Sequence, residues 1–125
     1  MSGFSTDAPT GGGSYSLFLE ASNPGGLATI KVKPIEGNQA FRFSLWAKMT
    51  AVKGSAQLIL VLSTGSEVIR KTIEIKDTTW TQYSVDDTLN IGSADSLKLR
   101  LSPGFSELIA SRTYFDVCRL IEYTN

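Results

Sequence analysis

The chain has 125 residues, 42% of them apolar, with Lys plus Arg and Asp plus Glu balanced at 12 each. That length suits one domain around one core, and that apolar content argues against disorder. Zero net charge gives no general attraction to nucleic acid or to an anionic membrane surface, and no apolar run is long enough to span a bilayer as a helix. The chain contains no histidine, which removes the commonest general base and metal ligand and excludes Ser-His-Asp, Cys-His and His-bearing zinc sites. Its one cysteine, Cys118, excludes an internal disulfide and reads as a small buried hydrophobe.

Residues 1–13 are polar, end in three glycines and lack the basic-then-apolar layout of a secretion signal. They read as a flexible lead-in, with residues 14–125 forming the domain. From there the chain alternates apolar and polar residues in short runs. Tyr15, Leu17 and Leu19 share one face, and Ala28, Ile30 and Val32 alternate with Thr29, Lys31 and Lys33. Phe41, Phe43, Leu45 and Ala47 alternate with Arg42, Ser44, Trp46 and Lys48. A period of two predicts strands with one buried face. Residues 57–62 (QLILVL) are continuously apolar, as in a strand shielded on both faces. Residues 68–75 and 80–85 follow, with a hairpin turn at Thr64, Gly65 and Ser66. Asp86, Asp87 and Asp95 read as loop or strand-end acids. Leu97, Leu99 and Leu101 alternate with Lys98, Arg100 and Ser102, and residues 113–121 close the set.

Turn signals at 23–26 and 34–38 separate these runs, and residues 105–110 have the length for one helical turn. The pattern predicts an all-β chain of about eight strands in an antiparallel β-sandwich.

Four segments carry a resemblance in their order. The first strand opens GSYSLFL at 13–19, and residues 41–48 read FRFSLWAK. Residues 79–84 read TWTQYS, and the closing strand carries Tyr114, Phe115 and Asp116. This series resembles the jelly-roll carbohydrate-binding modules of the galactose-binding-like superfamily, the kind appended to xylanases and glucanases. The likeness runs from Gly13 to Leu120 and implies a jelly roll. In that family an extra N-terminal strand carries an Asn-x-Phe-Glu motif. Ser2, Gly3 and Phe4 are a trace of it without the Glu. The family's structural calcium draws on that acid and on the closing aspartate. Asp116 is therefore the remaining calcium candidate, and the missing partner argues against the metal and for no cofactor.

The resemblance implies a concave sheet whose open face holds the ligand. Trp46 points away from the core on the alternation, where an indole stacks on a sugar ring. The alternative is an indole covered by a loop or by the N-terminal segment. Arg42, Lys48, Lys98 and Arg100 also point outward. If their strands are neighbours they form a basic strip with Trp46 that donates to hydroxyls or carboxylates. The alternative is a solvated sheet face. Trp80 reads as a core or edge plug. No carboxylate pair is placed across a cleft, so catalysis is not expected.

The resulting expectation is a non-catalytic glycan-binding jelly roll whose partner is a polysaccharide or cell-surface glycan. The alternative is a bacteriophage virion component, such as a capsid decoration, fibre or receptor-binding part, partnered by capsid or other virion proteins. Either role places the chain outside the cell or on a virion. Neither involves nucleic acid or membrane. A symmetric oligomer with packed sheet faces stays open as a further arrangement.

Overall fold

The computed structural model describes residues 2–5, 7, 9, 16–20, 28–34, 36–104 and 111–123. The turn expected at 23–26 and the helical turn expected at 105–110 lie outside the described residues. The period of two is realised as β1 (Ser2–Ser5), β2 (Ser16–Glu20), β3 (Ala28–Val32), β4 (Gly37–Met49), β5 (Gly54–Val61), β6 (Glu67–Ile75), β7 (Thr81–Ile91), β8 (Ser96–Ser102) and β9 (Arg112–Tyr123). Among the described residues there is no helix.

The ninth strand is β1, which forms inside the segment expected to be a flexible lead-in. It pairs antiparallel with β2, from Ser2 opposite Leu19 to Ser5 opposite Ser16. Four residues at a sheet edge need no apolar alternation, because the ladder is made by main-chain groups that every residue except proline carries. The trace at Ser2, Gly3 and Phe4 therefore corresponds to a real strand.

The strands form two sheets, one in the order β1-β2-β9-β4-β7 and the other in the order β3-β8-β5-β6. All pairings are antiparallel. The sheets pack as a sandwich. Leu19, Phe41, Phe43, Leu45, Leu89, Ile91 and Phe115 from the first meet Ala56, Leu58, Ile73, Ile75, Leu97, Leu99 and Leu101 from the second. Each large side chain buried here contributes about 1.5–3 kcal/mol. This is the expected all-β jelly-roll sandwich.

The alternation in β4 holds as read, with Phe41, Phe43, Leu45 and Ala47 buried and Arg42, Trp46 and Lys48 on the other face. β5 is central in its sheet, and Leu58 inside and Ile59 outside are both fully buried, as QLILVL implies. The β5–β6 hairpin closes where expected, with Gly65 at φ 90° and its N–H donating to the Leu62 carbonyl at 2.8 Å. Asp86 and Asp87 lie within β7, not at a strand end. Asp95 does sit in a turn, where its carboxylate accepts from the N–H groups of Gly92 (2.9 Å) and Ser63 (3.1 Å).

Two bulges break the simple period. In β9, Ser44 pairs with Arg119 and Trp46 with Asp116, so Leu45 alone faces Val117 and Cys118. Val117 takes φ 49° to absorb the extra residue. The inward set therefore switches from Thr113 and Phe115 to Cys118 and Leu120. Asp116, which unbroken alternation would put on the same side as Cys118 and Leu120, faces the opposite way for this reason. In β6, Lys71 pairs with Leu58 and Ile69 with Ile59, leaving Arg70 as the extra residue.

Candidate functional site

The outward face of the five-stranded sheet collects the aromatic and charged side chains. Strand register fixes which of them are neighbours. Trp46 of β4 lies between Gln82 of β7 and Asp116 of β9. One row along, Ser44 lies between Ser84 and Arg119, and beyond it Arg42 lies between Asp86 and Ile121. In the other direction Lys48 pairs with Tyr114. Residues of equal parity on one strand share a face, so these rows form one surface.

At the Lys48 end the contacts are specific. The Lys48 ammonium lies 5.4 Å from the Trp80 ring centroid and 5.1 Å from that of Tyr114. The two rings meet edge to face, 6.3 Å apart with an interplanar angle of 74°. Asp7, beyond β1, accepts from the Lys48 ammonium and from the Trp80 indole N–H at 3.0 Å. These two bonds, Lys48 first, hold the Asp7 carboxyl below the usual carboxylate range. Trp46 is half-buried, one row away. At the far end Arg42 makes a two-pronged pair with Asp86 at 2.8 and 3.2 Å, which lowers the Asp86 carboxyl.

The basic strip expected from Arg42, Lys48, Lys98 and Arg100 does not assemble. Lys98 and Arg100 lie on β8, in the four-stranded sheet, and face the opposite side of the sandwich from Trp46. There they converge on Glu67, at 2.6 and 2.9 Å, and lower its carboxyl, Lys98 first. Alternation assigns a residue to the inside or the outside but not to a sheet. Trp46, Arg42 and Lys48 do share a face.

The sequence reading missed Asp7, Trp80, Gln82, Tyr114 and Arg119 as members of this face. Trp80 precedes the edge strand β7 in the parity of outward-facing Gln82, Ser84 and Asp86, and it is half-buried there, at the sheet edge and not in the core. Tyr114 sits between the buried Thr113 and Phe115. Alternation carried both signals. Nothing local marked Asp7, because its partners lie far along the chain.

Calcium does not fit the described residues. Asp116 spends one oxygen on the Val117 N–H at 2.8 Å, while its other oxygen is buried without a partner among the described residues. No group of three His, Cys, Asp or Glu side chains is placed to hold a metal among them. A hard cation takes six to eight oxygens.

No protein-family model and no curated protein matches the chain. Solved structures do. The enzymatically active domain of bacteriophage CBA120 tailspike protein 4 superposes with a TM-score of 0.69 at 18% identity, over 98% of this chain and 18% of that one. The chain thus spans under a fifth of that solved tailspike domain. The CBM22-1 xylan-binding domain of Paenibacillus barcinonensis Xyn10C gives 0.63 at 12% identity, over 98% of this chain and 80% of that one. A family 16 carbohydrate-binding module gives 0.58 at 22% identity, over 88% and 78%. The fold is that of carbohydrate-binding jelly rolls, and the resemblance in the sequence stands at the level of fold.

Proposed function

We propose that the outward face of the five-stranded sheet is the glycan-binding surface of a non-catalytic module. One observation carries this reading: Trp46, Trp80 and Tyr114 come together on one sheet face with Lys48, Arg42 and Arg119 around them. Aromatic faces offer apolar area to the C–H side of a sugar ring, and the cations and Gln82 donate to its oxygens. Lys98 and Arg100, on the other sheet, fall outside this surface. The partner is a polysaccharide or a cell-surface glycan. Similar folds include a xylan-binding domain and a module solved with β-1,4-galactotriose, which supports this ligand class. Asp86 and Asp87 are engaged by Arg42 and Arg70, which supports a role without catalysis.

Affinity electrophoresis in gels containing xylan, galactan or glucan tests the surface. Trp46→Ala is expected to weaken retardation by about tenfold or more in affinity, equivalent to about 1.4 kcal/mol. Equal mobility of wild type and variant in every gel, a polygalacturonate gel included, refutes the assignment.

A second reading is favoured by the tailspike superposition, which extends over 98% of this chain. In it the domain is part of a bacteriophage particle and meets the host glycan, or a neighbouring virion protein, from there. Capsid and portal genes beside its gene support that role. A glycosidase domain joined to the same chain argues for the enzyme-appended module instead.

A further inference from the structure

Lys48 and Trp80 point their donors at a single carboxylate. Asp7 Oδ2 accepts from the Lys48 ammonium, and Asp7 Oδ1 accepts from the Trp80 indole nitrogen at 3.0 Å. The donors are held by something other than the acid they bind. Lys48 is flanked by the Trp80 and Tyr114 rings, and those rings brace each other. The Lys48 side chain is only 18% exposed, whereas the Asp7 side chain is 47% exposed. The donor half is thus built into the sheet and the acceptor half faces solvent. Asp7 also sits just past β1, a four-residue edge strand, and its N–H turns back onto the Ser5 hydroxyl at 3.1 Å.

The geometry points to a carboxylate seat: Lys48 and Trp80 bind the carboxylate of a uronate-bearing glycan, and Asp7 is the internal occupant that this ligand displaces. The inference rests on the reading of this face as a glycan surface and names its substrate class. A carboxylate takes both donors at once through charge-assisted bonds, as Asp7 does. A sugar hydroxyl brings no charge to replace the one it would evict. The internal acid lowers apparent affinity by the fraction of molecules whose seat is filled, and removing it restores the intrinsic value. The adjoining Trp46 then lies under the next part of the chain.

The test compares the full chain and its Asp7→Ala, Asp7→Asn and Trp46→Ala variants. The probes are polygalacturonate, the same polymer fully methyl-esterified, and dextran sulfate. Affinity is read by gel retardation and by tryptophan fluorescence, with an unfolding transition confirming that each variant is folded. Asp7→Ala is expected to bind polygalacturonate about tenfold tighter or better, the factor equivalent to about 1.4 kcal/mol, with no gain for the esterified polymer. Asp7→Asn, which keeps the size but loses the charge, gains less. Adding Lys48→Met to Asp7→Ala removes the gain.

An equal gain for the esterified polymer overturns the seat, because Asp7 then merely covers the face. An equal gain for dextran sulfate overturns it in favour of unspecific cation attraction. If Trp46→Ala weakens the esterified polymer while Asp7→Ala changes nothing, the seat fails and the glycan surface stands. If Asp7→Ala gains but Trp46→Ala is silent on every probe, the wider surface fails. Absence of binding by every variant overturns both.

Discussion

Val117 holds φ 49°, a left-handed conformation that a β-branched residue rarely adopts. The extra residue of the β9 bulge demands it, and the Asp116 carboxylate supports it by accepting the Val117 N–H at 2.8 Å. Asn reaches this conformation more readily than valine. Val117→Asn is therefore expected to stabilise the fold by up to about 1 kcal/mol in urea unfolding, where most strand substitutions from valine cost stability. Gly104 shows the opposite constraint. A Cβ there would run into the main-chain carbonyls of Val52 and Lys53, which cannot swing aside as a side chain would. Gly104→Ala should cost about 1–3 kcal/mol in the same assay. Cys118 reads from the sequence as a small buried hydrophobe, and in the structure it is partly buried. Burial, and after it the charge of Asp116, pushes that thiol up to about 11. Iodoacetamide at neutral pH should leave it unmodified in the folded protein and label it promptly in denaturant.

Among the elements, β4 was fully legible, because four buried apolar residues alternate with outward ones and no bulge intervenes within the strand. β9 was legible only up to its bulge. Parity read straight through Val117 puts Asp116 with Cys118, and no residue type there signals that the phase changes. β1 was legible only as a trace through the family resemblance, because its pairing is main-chain bonding to β2, which leaves little mark in side-chain alternation. The β6 bulge has a visible purpose. It turns Arg70 toward Asp87 of β7, linking the edges of the two sheets through bonds of 2.9 and 3.2 Å. The Asp87 side chain is 9% exposed and Arg70 38% exposed. Arg70→Ala leaves Asp87 with the Thr88 N–H at 2.9 Å as its recorded main-chain donor. The expected loss is about 1–2 kcal/mol, less than for a fully buried pair because solvent screens the exposed guanidinium. Urea unfolding of Arg70→Ala beside Arg70→Lys checks this, with the lysine recovering part of the loss.

For the whole molecule, the sequence carried the fold class and, where no bulge intervenes, the face on which the residues of the long strands stand. It did not carry the distribution of strands between sheets. That distribution separated Lys98 and Arg100 from Trp46 and brought Trp80, Tyr114 and Asp7 toward it. Sheet order arises from long-range crossovers, which local periodicity does not encode. The docking of the N-terminal segment also sets a pH dependence. Lys48 and Trp80 face Asp7, and Lys48 above all keeps its carboxyl below its ordinary 3.8. A depressed carboxyl contributes fully above that ordinary value, and its contribution is lost as pH falls through the lowered one. Tryptophan emission should therefore hold constant from neutral pH down to the ordinary carboxylate range and change below it. Asp7→Ala should abolish the step.

The order of the sheet also has a mechanical consequence. Ser2 of β1 stands level with Leu19 of β2 and, across it, Thr113 of β9, whereas β9 runs from there to Tyr123, level with Ala40. The first and last strands therefore leave the sandwich at opposite poles. Tension between them pulls both strands lengthwise, so their hydrogen bonds are loaded together in shear instead of being unzipped singly. β1 is held by a single ladder of four pairs, and β2 is joined to β9 by another four, against nine between β4 and β9. Stretched in an optical trap, the domain should yield first at the edge made by β1 and β2, drawing Asp7 from Lys48 while the sandwich behind it holds.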